Sequence, residues 1–424
     1  MRVRIKGPQA VRGKVKAPGS KAYTHRAFLA SLLSEGESVI EGPLHCDDTQ
    51  RTLEAIQRLG AKVIVKKTRT ISSGVRRPIA SNRPINCGDS GATLRFLTAI
   101  SSTSLKTVRL TASSRLASRP LIPLVKAVNT LGASAKTTSD THGFEVLTRG
   151  PLRGGEVTLR GDISSQFISG LLFAAPLAIR DVTINVKGAL ESRPYVNMSI
   201  DVLRKHGISI HESDEKIRIP APQKFVPTFH HVPGDFSSAA FLIAATGIGG
   251  DEITVSGLGS KGLEPDSAIL KIAPEIGLEV QQNGDALTIG RRELDGFEFD
   301  ASDSPDLVPP LETIGCFADG SSEIRGVKRL VYKESNRLQS LPTELGKMGA
   351  KIHAEDDMVR IEGGGELIGS ALDSHNDHRV AMACATASLG AKGESIIHGS
   401  EAVSKSYPEF FQDLARLGVQ LSVE

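Results

Sequence analysis

Lys21, His25 and Arg26 stand close together in the stretch PGSKAYTHRAFLASLL, beside the hydroxyls of Ser20 and Thr24. An almost wholly apolar segment, Ala27 to Leu33, follows and predicts a buried helix. Cations and hydroxyls at a helix start suit an anion, because free backbone N–H groups and the positive dipole end point there. Five more stretches precede apolar segments in the same way. They are Gly88-Asp89-Ser90-Gly91 with Arg95, Gly161-Asp162-Ile163-Ser164-Ser165-Gln166, Gly234-Asp235-Phe236-Ser237-Ser238, Asp303-Ser304-Pro305-Asp306, and Asn376-Asp377-His378-Arg379. Helix capping accounts for the Ser and Asp residues. It does not account for Lys21, Arg26, Gln166, His378 and Arg379. A second set lies just ahead of predicted amphipathic helices: Arg115 and Arg119, then Ser192, Arg193 and Tyr195, then Lys333, Glu334 and Arg337, then Lys405. Arg presents a fork that grips phosphate or carboxylate with two bonds. The chemistry indicated is the binding of a small polyanion. His375 and His378 have the i, i+3 spacing of a metal pair, but no third ligand accompanies them, and no metal is expected.

The elements that position these residues recur about every 70 residues. Six segments read as amphipathic helix, glycine, then alternating strand, with glycines at Gly60, Gly132, Gly207, Gly277, Gly349 and Gly418. Leu124, Val128 and Leu131 show the period, as do Leu341, Leu345 and Met348. The glycine is the expected left-handed helix cap. Six apolar helices with little polar face lie between these and should be central. Each unit is then a buried helix, a strand, an outer helix and further strand material. The sixth unit ends early, and the N-terminal MRVRIKG and GKVKAPG can complete it. The expected domains are 20–229, with three units, and 1–19 plus 230–424, with the other three. The chain would cross near 18–21 and 230–234, where Pro and Gly interrupt the pattern. If the helix starts of the two domains face each other, they form an anion-binding cleft.

Composition narrows the class. The 424 residues exceed one domain at about 150 residues each. Aromatic residues are 4% with no Trp, so the cores are aliphatic and stacking platforms for single-stranded nucleic acid are scarce. A net charge of +3 gives no broad polyanion-binding surface, so any anion site is local. Cys46, Cys87, Cys316 and Cys384 show no metal-ligand spacing and suit a reducing compartment. No signal-peptide pattern or membrane-length apolar run is evident. A cytoplasmic protein acting without a membrane or nucleic acid is expected.

The motifs PGSK with Arg26, GDSGATLR, RLASRP, SSQF, SRPYV, SPD, KESNRL, NDHR and SKSYPEF together resemble the 5-enolpyruvylshikimate-3-phosphate synthase family over essentially the whole chain. The resemblance implies an α/β fold of two domains, an inside-out α/β barrel of six βαβαββ repeats around buried helices. It implies a transferase that moves the enolpyruvyl group of phosphoenolpyruvate to the 5-hydroxyl of shikimate 3-phosphate through a tetrahedral intermediate. It implies no cofactor, and a monomer is expected.

Carried over residue by residue, the resemblance makes Asp306 the base at the 5-hydroxyl. Glu334 exchanges a proton with the methylene carbon, with Lys21 near it and His378 assisting. Gly91, Arg119, Arg337, Arg379 and Lys405 hold phosphoenolpyruvate. Arg26, Ser164, Ser165, Ser192 and Lys333 hold shikimate 3-phosphate, and Lys21 and Gln166 meet both ligands. Many members have Ser where this chain has Ala22, and the hydroxyl of Thr24 or a water is expected to substitute. Asp89 would repel an anion unless it caps its helix or pairs with a cation. The related UDP-N-acetylglucosamine enolpyruvyl transferases usually carry a reactive Cys where this chain has Ser114. A non-catalytic polyanion binder on the same scaffold would not need Asp306 and Glu334.

Overall fold

The computed structural model describes residues 1–140, 143–213, 215–259 and 264–424. The chain divides into two compact units, Gly19–Val232 and a discontinuous unit of Met1–Pro18 with Pro233–Glu424. In the inserted unit, besides the four-residue helix Ser114–Ala117, the helices are α1 (Lys21–Leu32), α2 (Asp47–Arg58), α3 (Gly91–Ser101), α4 (Ile122–Thr130), α5 (Ser165–Ala174) and α6 (Arg193–Lys205). In the discontinuous unit they are α7 (Phe236–Gly249), α8 (Ile269–Ile272), α9 (Val308–Gly315), α10 (Arg337–Lys347), α11 (His378–Ser388) and α12 (Phe410–Arg416).

Each unit holds three four-stranded sheets of one design. In the sheet around Glu37–Glu41, that strand runs parallel to Phe229–His231 and antiparallel to Arg69–Ser73, which pairs with Lys62–Val65. The same order recurs around Val108–Ala112, Val182–Lys187, Ile253–Ser256, Ser321–Arg325 and Gly393–His398. Residues in these strands alternate buried and outward, so each sheet covers the core with one face. The helices α1, α3 and α5 are buried nearly all round, as are α7, α9 and α11. Helices therefore lie inside and sheets outside, the arrangement an apolar helix next to a half-apolar strand demands. All six periodic glycines have φ between 79° and 112°, a region where a side chain is strained.

Two local expectations change. Phe229–His231 pairs with Glu37–Glu41 of the inserted unit, so this unit runs past the expected boundary at 229. Its backbone completes the first sheet, while Gly13–Lys16 supplies the matching strand beside Ile253–Ser256. The outer helix expected around KIAPEIG is only the four residues of α8, after a 3-10 turn at Pro265–Ala268. Pro274 cannot continue it.

Glu312 is an anomaly in the core of the discontinuous unit. It lies on α9, 1% exposed, and neither carboxyl oxygen has a hydrogen-bond partner among the described residues. Burial pushes its carboxyl up to about 8. The folded protein therefore keeps a proton that the unfolded chain releases, and stability falls as pH climbs from about 4.5 towards 8. Glu312→Met should stabilise the protein by roughly 2 kcal/mol at pH 7 and much less at pH 4.5. Urea midpoints at the two pH values check this.

Candidate active site

Five of the six buried helices carry the expected side-chain cap. Ser20, Ser90, Ser164, Asp235 and Asp377 accept from the first-turn N–H groups of α1, α3, α5, α7 and α11. α9 begins instead from the turn Pro305–Leu307, which leaves Asp306 to project from a prolyl corner.

In the inserted unit Lys21, the first residue of α1, pairs with Asp48 of α2 at 3.0 Å. Arg26 is buried one turn later. Its guanidinium donates to Ser199 Oγ at 2.8 Å, the Tyr195 carbonyl at 3.0 Å and the Ala22 carbonyl at 2.8 Å. It also lies 5.3 Å over the Phe96 ring. Arg26 thus ties α1 to the start of α6, where Ser192 sits buried with φ 56°. Ser164 caps α5, Ser165 follows it, and Gln166 accepts from Arg95 Nη1 at 2.7 Å. The hydroxyl of Thr24 does not substitute for a Ser at Ala22. It is fully buried, donates to the Ser20 carbonyl and accepts from the Leu44 N–H. Asp89 does pair, with Ser113 and with Arg115 at 3.7 Å.

The Arg119 guanidinium lies close over Gly91. A Cβ there would lie 3.2 Å from Arg119 Nη1 and 3.3 Å from its Cζ. Gly91→Ala should push that guanidinium aside by a few tenths of an ångström and weaken its grip on an anion, raising KM a few-fold with a smaller change in kcat. Steady-state kinetics of the variant beside the wild type would show it.

The densest cluster lies in the discontinuous unit. Asp306 accepts from Lys333 at 3.1 Å, from Arg337 Nη1 at 3.1 Å and from Arg379 Nη2 at 3.1 Å. Its backbone carbonyl accepts from Arg379 Nη1 at 3.2 Å. Burial would raise its carboxyl, but the three cations outweigh burial and hold it well below the usual range. Arg337, 1% exposed, also bonds Glu334 at 2.8 Å and both oxygens of Asp377, at 2.9 and 3.1 Å. Burial lowers the Lys333 ammonium. Lys405 donates to the Asn376 carbonyl at 2.7 Å, and His378 is buried next to Asp377.

Sequence reasoning missed three members of these clusters. Asp377 anchors Arg337, a role hidden because a helix cap explains an Asp at that place. Asp48 pairs with Lys21 across 27 residues of chain, with no local signal. Asp266 is fully buried and accepts from Ser237 Oγ, and burial together with the charge of Asp306 raises its carboxyl. It belongs to the prolyl turn Pro265–Ala268, a stretch with no motif of its own in the sequence.

The side chains of Glu334, Asp377 and His378 lie close enough to share a metal ion. The Arg337 guanidinium already bridges both carboxylates, so the group does not fit one. His375 is not part of it; its Nε2 lies 2.7 Å from Glu344.

This fold and these clusters place the chain among the enolpyruvyl transferases. The structure is similar to that of EPSP synthase from Acinetobacter baumannii, with a TM-score of 0.83 and 25% identity, covering 100% of this chain and 99% of that one. The fold is shared with the enolpyruvyl transferase NikO from Streptomyces tendae, with a TM-score of 0.80 and 19% identity, covering 99% and 98%. The model of the EPSP synthase (3-phosphoshikimate 1-carboxyvinyltransferase) family matches residues 5–414. A 3-phosphoshikimate 1-carboxyvinyltransferase of Methanosarcina acetivorans is 39% identical, with 99% of each chain covered. One from Methanosarcina mazei is 40% identical, with 97% of each covered. The chain belongs to the EPSP synthase family.

Proposed function

We propose that this chain is a transferase that moves the enolpyruvyl group of phosphoenolpyruvate to the 5-hydroxyl of shikimate 3-phosphate and releases phosphate. The observation that carries the reading is Asp306, a carboxylate held by Lys333, Arg337 and Arg379 beside a second carboxylate, Glu334. Both substrates bring a phosphate and a carboxylate, which are the partners such cations seek. As these anions draw cations away from Asp306, its affinity for a proton rises, and it becomes a base where the 5-hydroxyl must lose one.

The C–O bond to C2 forms as C3 gains a proton, for which Glu334 and Lys21 are the proposed donors, with His378 assisting. The tetrahedral intermediate then loses its phosphate, and C3 returns the proton. Arg119, Arg379 and Lys405 hold phosphoenolpyruvate, with Gly91 giving room. Arg337 joins them with the one N–H that its four bonds to Asp306, Glu334 and Asp377 do not use. Arg26, Ser164, Ser165, Ser192 and Lys333 hold shikimate 3-phosphate, and Gln166 meets both ligands. Positioning and fixed charge carry such catalysis, and the proposal assigns no cofactor. Among the described residues no helix is long and apolar enough to cross a membrane, and all four cysteines are unpaired. A cytoplasmic monomer is the setting we infer. The test is phosphate release from phosphoenolpyruvate. It should depend on shikimate 3-phosphate, and release without it, or none with it, overturns the reading.

A further inference from the structure

A row of side chains in the inserted unit lies outside the residues assigned to substrate. Lys205, the last residue of α6, donates to the Tyr23 hydroxyl of α1 at 3.0 Å. That hydroxyl lies 3.1 Å from Nδ1 of His230, on the strand Phe229–His231. Nε2 of His230 lies 2.8 Å from Nε2 of His206. Nδ1 of His206 lies 2.8 Å from the Val226 carbonyl and 2.8 Å from Ser34 Oγ, which itself donates to the Ala30 carbonyl. Both imidazoles are 1% exposed or less.

These contacts fix where each proton sits. A carbonyl only accepts, so His206 carries its proton on Nδ1. Burial holds both rings neutral at ordinary pH, His206 down to about 4 and His230 down to about 3. Nε2 of His206 is then bare and accepts from Nε2–H of His230. Nδ1 of His230 is in turn bare and accepts from the Tyr23 hydroxyl, whose oxygen receives the Lys205 ammonium. The row has one allowed direction, from Lys205 to Val226.

We propose that His206 and His230 are positioning residues, a neutral imidazole pair that ties α6 and the strand Phe229–His231 to α1 and comes apart when acid adds one more proton. An added proton on the bare Nε2 of His206 sets it against Nε2–H of His230, donor against donor, and puts a second positive charge in a buried line that already ends on Lys205. The charged neighbours do not offset it. Asp201 is engaged with Lys205 at 3.0 Å, and Glu41 lies 3.1 Å from the exposed His231. Among the described residues no carboxylate bonds either ring. Since α1 also carries Lys21 and Arg26, loss of the pair loosens groups that the proposed function assigns to substrate, and that last step rests on the proposed function.

Both folded values lie below the unfolded one, so the contribution is present above about pH 6.5 and is lost as pH falls. The full chain should lose roughly 20-fold in its folding equilibrium constant per histidine between pH 7 and 5. His25, also buried and depressed, adds its own share. His206→Gln and His230→Gln should each remove one such factor from the pH dependence of the urea midpoint. Equal pH slopes in wild type and both variants overturn the proposal. Nitrogen-15 spectra of the wild-type imidazoles give a second readout if the variants do not fold. His206 protonated on Nδ1 and His230 on Nε2 at pH 7 support the pair, and the opposite tautomers or a cation at pH 6 overturn it. His230→Gln at pH 7.5 should also raise KM for shikimate 3-phosphate several-fold with little change in kcat. Absence of turnover in the wild type would count against the proposed function and leave the pair standing.

Discussion

Asp306→Asn is expected to lower kcat by about 10²–10⁴-fold, the range a positioned general base contributes. The amide keeps the size of the side chain and its place in the prolyl corner but cannot take the hydroxyl proton. In the proposed function Arg337 and Arg379 remain to meet phosphoenolpyruvate and Lys333 to meet shikimate 3-phosphate, so both KM values should shift far less than kcat. Some stability should be lost too, because three cations then face one another around a neutral group. Arg337 keeps Glu334 and Asp377 as partners, which limits that loss. Steady-state kinetics with both substrates varied separate these effects, and wild-type turnover would remove Asp306 from the base role.

Arg337→Met should be the most damaging single change to stability. One guanidinium bonds three carboxylates, of which Asp377 is completely buried. Removing one partner of a buried ion pair typically costs about 3–5 kcal/mol, because the other charge is left uncompensated. The sign with pH is distinctive. In the wild type Asp306 and Asp377 titrate below the ordinary carboxylate range, so their contribution is present above that range and fades in acid. Without Arg337 burial dominates at Asp377, and its folded carboxyl rises above the unfolded value. The gap between variant and wild type should be widest near pH 8 and narrow towards pH 4, as urea midpoints across that range would show. Arg337→Lys should rescue little, since a single ammonium cannot span three carboxylates.

Both predictions rest on residues visible in the sequence as members of short motifs. What those residues touch was visible only in part. Arg26 and Arg337 stood out as cations at helix starts, and a surface location would have been the ordinary expectation for each. The structure buries both, and each guanidinium spends its bonds on protein groups. Asp377 showed as a cap and proved to be the anchor of Arg337 as well. Thr24 looked able to supply a hydroxyl, but the backbone takes it up. Such outcomes depend on which side chains from distant repeats arrive at one helix end.

The repeat itself was legible because its cause is local. A buried helix needs a continuous apolar stretch, an outer helix needs one apolar stripe, and the turn after it needs a residue tolerant of positive φ. Each of these leaves a mark at fixed spacing, six times over. The repeat of buried helix, strand, outer helix and glycine, and the cationic motifs at the helix starts, can thus be read from the residues alone, while the full βαβαββ unit came from the family resemblance. That Phe229–His231 closes the first sheet, that Asp48 and Asp266 join the charged clusters, and that His206 meets His230 emerge from the packing of distant segments. Strand pairing, ion pairing and imidazole contacts across many residues are chosen by packing and by the need to satisfy buried polar groups, and neither leaves a periodic trace in the chain.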